Sequence, residues 1–242
     1  VTLASDPIIN HAAKTYYMSA GQFSAPVVFR APIGSGTGHG GQHTQSTEAL
    51  FANTPGLVLV APATAKDAKG LLKSAIRSNN PVLFFEHKGL YDTAGEVGDS
   101  EYLVPLGKAN IVHPGSDITI VSYSKTLHTA HKAALLLAKE GISAEVIDLR
   151  TLKPLDTQAI FTSVQKTTRL LVVQESPAFG SLSSEIIAAV TGDRASFRAL
   201  SAAPARLGGA ESPIPFNAEL ERAVVPTVEG ILEAVRTIVA PR

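Results

Sequence analysis

The stretch "GSGTGHGGQHTQSTEALF", residues 34 to 51, places His39 and His43 in a loop where glycine fills five of the eight positions 34 to 41. Histidine is the side chain that most readily exchanges protons near neutral pH. The loop sits between a predicted strand and a predicted helix, on the sheet edge where open α/β proteins bind ligands. His43, just ahead of a helix start near Ser46, is therefore a candidate acid–base group. His39 has the same setting and no further support, and an exposed loop histidine is the competing reading for both. Dense glycine costs conformational entropy, which a close backbone approach to a ligand or another chain would offset. "GTGHGG" (36–41) also fits a G-x-G-x-x-G fingerprint, but the next strand ends Val60-Ala61-Pro62, without the carboxylate that holds a ribose. No Gly-Lys-Ser/Thr is present for a P-loop, and no H-E-x-x-H or nucleophile elbow.

The remaining reactive groups carry less. His128 and His131 share one predicted helix without a matching carboxylate pattern and read as surface or interface groups, and His11, His87 and His113 carry no signal. Glu48, Glu86, Asp148 and Glu175 stand near element ends, where salt bridges and caps explain them as well as catalysis does. The helix over 64 to 78 ends "KSAIRSNNP", leaving carbonyl oxygens that carry partial negative charge, and Pro81 brings no donor to them. Such a turn could hold a monovalent cation through backbone oxygens, or could be satisfied by water and the asparagine amides. With no cysteine, disulfides and thiolate metal sites are excluded.

The elements that must position these groups alternate. Short β-branched strands at 25–31, 57–62 and 81–86 are separated by helices at about 46–53 and 64–78, after an opening helix over 5–19. Residues 87 to 116 break the rhythm with glycine and proline around one short β segment, "KANIV". Alternation resumes with strands at 117–124, 143–150, 169–176 and 197–202, and helices at 125–141, 156–167, 181–190 and 227–239. The pattern predicts parallel sheets covered by helices, in two α/β domains divided near residue 113. Apolar residues make up 45% and charged residues 17%, a composition for a well-buried globular chain. Lys plus Arg equals Asp plus Glu at 21 each, so no basic field marks a nucleic-acid partner, and no apolar run is long enough to span a membrane.

Taken together and in order, "HAAKTYYMS", "GGQHTQSTEALFANTPGL", "APATAKDAKGLLKSAIRSNNPVLFFEHKGLYD", "YLVPLGKA" and "AEVIDLRTLKPLD" resemble the beta subunits of the thiamine-diphosphate-dependent decarboxylating component of 2-oxo acid dehydrogenase complexes, with the pyruvate dehydrogenases nearest. The resemblance runs from about residue 6 to the terminal helix. It implies that residues 1 to 112 are the later part of a pyrimidine-binding domain, with a linker from about 87, and that 113 to 242 are a transketolase C-terminal-like domain. It implies an alpha-two beta-two heterotetramer docked on a dihydrolipoyl acyltransferase core, with thiamine diphosphate and magnesium held mostly by the alpha subunit. The reaction implied is oxidative decarboxylation of a 2-oxo acid with acyl transfer to a lipoyl group, in the cytoplasm, or in the mitochondrial matrix or a plastid of a eukaryote.

Carried over by position, His43 becomes the active-site histidine. A potassium site would use backbone oxygens of Val27, Ala75, Ile76, Ser78 and Asn80. The family's catalytic glutamate lies in an N-terminal segment that this chain does not contain. The expectation is therefore a truncated subunit, inactive alone, with no cofactor-binding residue assignable. In "GGAESPIPF", Glu211 and Phe216 replace a family pattern that carries Asp and often ends in Tyr. The resemblance leaves three alternatives open: a beta subunit for branched-chain 2-oxo acids or acetoin, a deoxyxylulose-phosphate synthase or transketolase, and a non-catalytic assembly module.

Overall fold

The structure is a computed structural model and describes residues 1 to 240. Among the described residues, nine strands form two sheets. In the first, β1 (Val28–Ile33), β3 (Val82–His87) and β2 (Val58–Val60) run parallel, and β7 (Thr151–Lys153) closes the far edge antiparallel to β2. In the second, the order is β4-β6-β5-β8-β9, with β5 (Ile118–Ser122), β6 (Ala144–Asp148), β8 (Leu170–Pro177) and β9 (Ala205–Gly209) parallel and β4 (Asn110–His113) antiparallel on β6. This is the expected two-domain α/β fold with sheets of mostly parallel strands. The antiparallel strand β7 lies beyond residue 150 and yet completes the first sheet, so the chain crosses back between the two sheets.

Side-chain alternation explains the layering. In β3, Leu83 and Phe85 face a core shared between the sheets, while Val82 and Phe84 face α4 (Ala65–Ile76). In β8, Leu170 and Val172 join the shared core, and Leu171 and Val173 turn to α5 (Ser124–Lys139) and α10 (Val228–Val239). Both faces are apolar because both are covered. Each fully buried Phe or Leu here contributes roughly 1.5–3 kcal/mol. The shared core also takes Ile160 and Val164 of α6 (Thr157–Thr167) and Ile186 and Val190 of α7 (Leu182–Gly192). The two sheets are thus joined by apolar packing as well as by the chain.

Local signals account for the helix ends. Thr64 caps α4 by accepting the Asp67 N–H, Asp156 caps α6 through Ala159, and Thr227 caps α10 through Gly230. The opening helix is broken: Pro7–Ala12 is a π-helical turn, followed by the short α1 (Thr15–Met18). The expected strand over 197–202 is instead α8 (Arg194–Ala199), because Asp193 accepts the Ser196 N–H and starts a helix there. The strand comes later, as β9, after Pro204. The short helices α2 (Gly40–His43), α3 (Glu48–Ala52) and α9 (Ala218–Ala223) complete the set.

Candidate functional site

The glycine loop leaves the end of β1 and runs along the junction of the two sheets. Gly34, Gly36, Gly38 and Gly40 all have positive φ, a region that other residues enter at a cost. Two positions also show why no side chain fits. A Cβ on Gly34 would fall 2.1 Å from His87 Nε2, and one on Gly40 would fall 2.6 Å from the Phe216 ring. The backbone therefore approaches this chain's own side chains closely at these two positions.

Beneath the loop lies a cluster that sequence reasoning did not assemble. Glu175, on β8 of the second sheet, accepts the Ser35 N–H and the Ser35 hydroxyl, each at 2.8 Å, and the Ser46 hydroxyl at 3.2 Å. His87 Nε2, at the end of β3, lies 2.9 Å from the same carboxylate. Because the Gly89 N–H donates to His87 Nδ1, the Nε2 hydrogen is the one aimed at Glu175. Burial opposes ionisation of Glu175, but the bonds from His87 and Ser35 outweigh it and hold the carboxyl down to about 2. Glu221 of α9, itself buried, accepts the Gly36 N–H at 2.6 Å and the Gly38 N–H at 3.4 Å. Beside these, Tyr123 donates to the buried Glu48. Burial raises the Glu48 carboxyl, and it pushes the Tyr123 phenol well above its ordinary range, with Glu48 adding to the push.

On the rim, α2 ends in His43. It is exposed, its carbonyl oxygen accepts from the Lys88 ammonium, and its ring makes no hydrogen bond among the described residues. His39, the residue before α2, is exposed as well. Adjoining the loop is a cavity of about 330 Å³ lined by Gln45, Ser46, Leu50, Phe179 and Ile214, among others. Of the other histidines, His128 donates from Nε2 to the Ala63 carbonyl at 2.7 Å, across to the first sheet's connections. The His131 ring lies tilted beside that of His113, centroids 5.7 Å apart, and burial with the two neighbouring imidazoles, His113 and His128, lowers its pKa.

The five residues expected at a cation site lie where α4 gives way to β3 and beside the start of β1. The Val27 carbonyl accepts from Val82 at 2.9 Å and that of Ala75 from Ser78 at 3.1 Å. No donor among the described residues reaches the carbonyl oxygens of Ile76, Ser78 or Asn80. The oxygens in question are all main-chain carbonyls, the type of ligand a hard monovalent cation takes.

The thiamine cofactor implied by the family fits less well. The N–H groups of Ser35, Gly36 and Gly38, natural donors for a diphosphate, are spent on Glu175 and Glu221. Among the described residues no group of three or more His, Asp or Glu side chains is placed to hold a metal ion. These residues do not fit the magnesium–diphosphate end of the cofactor.

Comparison with known proteins decides the family. The model for the transketolase pyrimidine-binding domain matches residues 2 to 93, and that for the transketolase C-terminal domain matches 107 to 231. Over 98% of this chain and 71% of its own length, the pyruvate dehydrogenase E1 component subunit beta of Porphyra purpurea is 45% identical. The chain belongs to this transketolase-like family of E1 beta subunits. The mitochondrial pyruvate dehydrogenase E1 subunit beta-2 of Oryza sativa is 47% identical over 96% of the chain, which spans 62% of that relative's length. A beta subunit of acetoin:2,6-dichlorophenolindophenol oxidoreductase from Cupriavidus necator is 45% identical over 96% of the chain and 68% of its own length. A solved structure described as a split gene transketolase, an inactive beta4 tetramer, superposes with a TM-score of 0.72 at 22% identity, covering 96% of this chain and 73% of its own, and shares the fold.

Proposed function

We propose that this chain works as the beta subunit of a pyruvate dehydrogenase E1 component, in the oxidative decarboxylation of a 2-oxo acid with transfer of the acyl group to lipoyl groups. The observation that carries the reading is near one-half identity to pyruvate dehydrogenase beta subunits over almost the whole chain, with His43 on an exposed ledge. We read residues 1–112 as pyrimidine-binding domain, with a linker from about 87, and 113–242 as C-terminal domain. The partners are an alpha subunit, in an alpha-two beta-two assembly, and a dihydrolipoyl acyltransferase core. The alpha subunit holds magnesium and the diphosphate of thiamine diphosphate, since the loop's own donors are committed. The location follows the mitochondrial relatives in a eukaryote and is cytoplasmic otherwise.

In this proposal His43 reaches across the subunit seam, hydrogen-bonds the substrate and moves protons at its ring nitrogens. In the reconstituted heterotetramer, His43→Ala should lower kcat by about two orders of magnitude, the usual scale for losing an acid–base group, with cofactor affinity nearly unchanged. Equal turnover in the two proteins would remove His43 from the chemistry. The acetoin reading is favoured by one relative, so pyruvate and acetoin are compared as substrates with a lipoyl acceptor in the same assay.

The carbonyls of Val27, Ala75, Ile76, Ser78 and Asn80 take potassium in this reading. Potassium chloride at a hundred times its dissociation constant should add about 2.7 kcal/mol of stability over sodium chloride at equal ionic strength, read as a rise in Tm. Coincident melts in the two salts speak against the site.

A further inference from the structure

The ledge that carries His43 is tied to its own sheet by Lys88, at the His43 carbonyl, and is held from outside that sheet as well. Residues 34 to 40 contain four glycines with positive φ, a backbone with little stiffness of its own. Within the loop's own segment, the bond from Gly34 N–H to the Gln45 carbonyl is long, at 3.4 Å. The shorter backbone bonds go elsewhere, from the Ser35 N–H at 2.8 Å and the Gly36 N–H at 2.6 Å. Ser35 and Ser46, one at each end of the loop, meet on Glu175 of β8. Gly36 and Gly38 N–H groups converge on Glu221 of α9. Both carboxylates are buried, both belong to the second half of the chain, and they reach the loop across 140 and 185 residues.

We propose that Glu175 and Glu221 are the positioning residues of the His43 loop: two carboxylates from the second domain hold the backbone over 35–38 and so give the imidazole a single place. The second domain then takes part in the site without supplying a reacting group. A charged acceptor suits this task, because each oxygen can take a backbone N–H at short range with no proton to rearrange. The inference rests on the reading of His43 as the working group.

The test uses the assembled heterotetramer, with amide hydrogen exchange and steady-state kinetics read together for Glu221→Ala, Glu221→Gln and Glu175→Gln. For Glu221→Ala, exchange at Gly36 and Gly38 should quicken at least about tenfold while β3 and β8 stay protected. Turnover should fall about tenfold with KM for the 2-oxo acid unchanged, the signature of a displaced group rather than lost binding. Glu221→Gln keeps an acceptor oxygen and should recover part of both losses. Should Glu175→Gln fail to fold, the Glu221 pair still reports, since α9 lies outside the two sheets. Unchanged exchange in the loop, or a uniform rise across all elements, overturns the proposal whatever the kinetics. A loosened loop with full turnover leaves the clamp standing and sets aside the role of His43.

Discussion

Glu175 and Asp148 are both buried, and each ends or nearly ends a parallel strand of the second sheet, yet they behave oppositely. Glu175 collects donors from Ser35, Ser46 and His87, and its carboxyl is held at about 2. Asp148 accepts one N–H, from Arg150 at 3.0 Å, and its Oδ2 has no partner. Burial therefore dominates and lifts its carboxyl to about 7; the charge of Asp67 adds to this, against the Arg150 N–H and its guanidinium. That guanidinium is engaged elsewhere, on Asp67 Oδ1 at 2.8 Å. The number of donors aimed at a carboxylate, more than its depth, decides which charge state the fold supports. At neutral pH the loop junction rests on a fixed anion, and the crossing to β7 rests beside an acid poised to titrate.

The largest expected effect comes from emptying the first of these. Glu175→Ala leaves His87 and Ser35 buried without an acceptor, and should destabilise by about 3–5 kcal/mol in urea unfolding at pH 7. The pH dependence sharpens the contrast. A folded carboxyl at about 2, below its ordinary 4.5, adds stability that is fully present above pH 4.5 and is lost as pH falls through 2. The gap between wild type and Glu175→Ala should then narrow from pH 5 to pH 2.5. A gap that stays constant over that range would show that the donors do not favour the anion.

Little of this pair was legible in the sequence, and the reason is distance along the chain. Glu175 meets His87 across 88 residues and Ser35 across 140, so no local pattern joins them. Their shared signal was a polar residue at the end of an apolar strand, which caps and salt bridges produce equally well. The elements were easier. The unbroken apolar runs in "PVLFFE" and "RLLVVQES" mark strands covered on both faces, and Thr64 with Asp67 marks the start of α4. The helix over 194–199 was missed because Phe197, Ala199 and Leu200 read as an extended apolar run, while the Asp193 cap lies just upstream. Strand β7 was missed because three residues carry no period, and its pairing with β2 is set by the crossing chain. His43 stands out in the sequence from its loop, but the approach of Phe216 and His87 to that loop's glycines exists only in the fold.

The smaller effect tests the other carboxylate. Between its ordinary 3.8 and about 7, the folded chain keeps the Asp148 proton that the unfolded chain releases. The folded state then binds more protons, so stability falls as pH rises through this window and levels off above 7. Asparagine keeps the oxygen that accepts from Arg150 and does not titrate. From pH 5 to pH 8 the wild type should lose about 2–3 kcal/mol that Asp148→Asn retains, so the variant gains on the wild type as the solution becomes more alkaline. Urea midpoints at pH 5, 6.5 and 8 measure the divergence. Parallel curves would mean that Asp148 is already ionised at pH 5, with the Arg150 guanidinium turned to it rather than to Asp67, and the two buried carboxylates would then be alike.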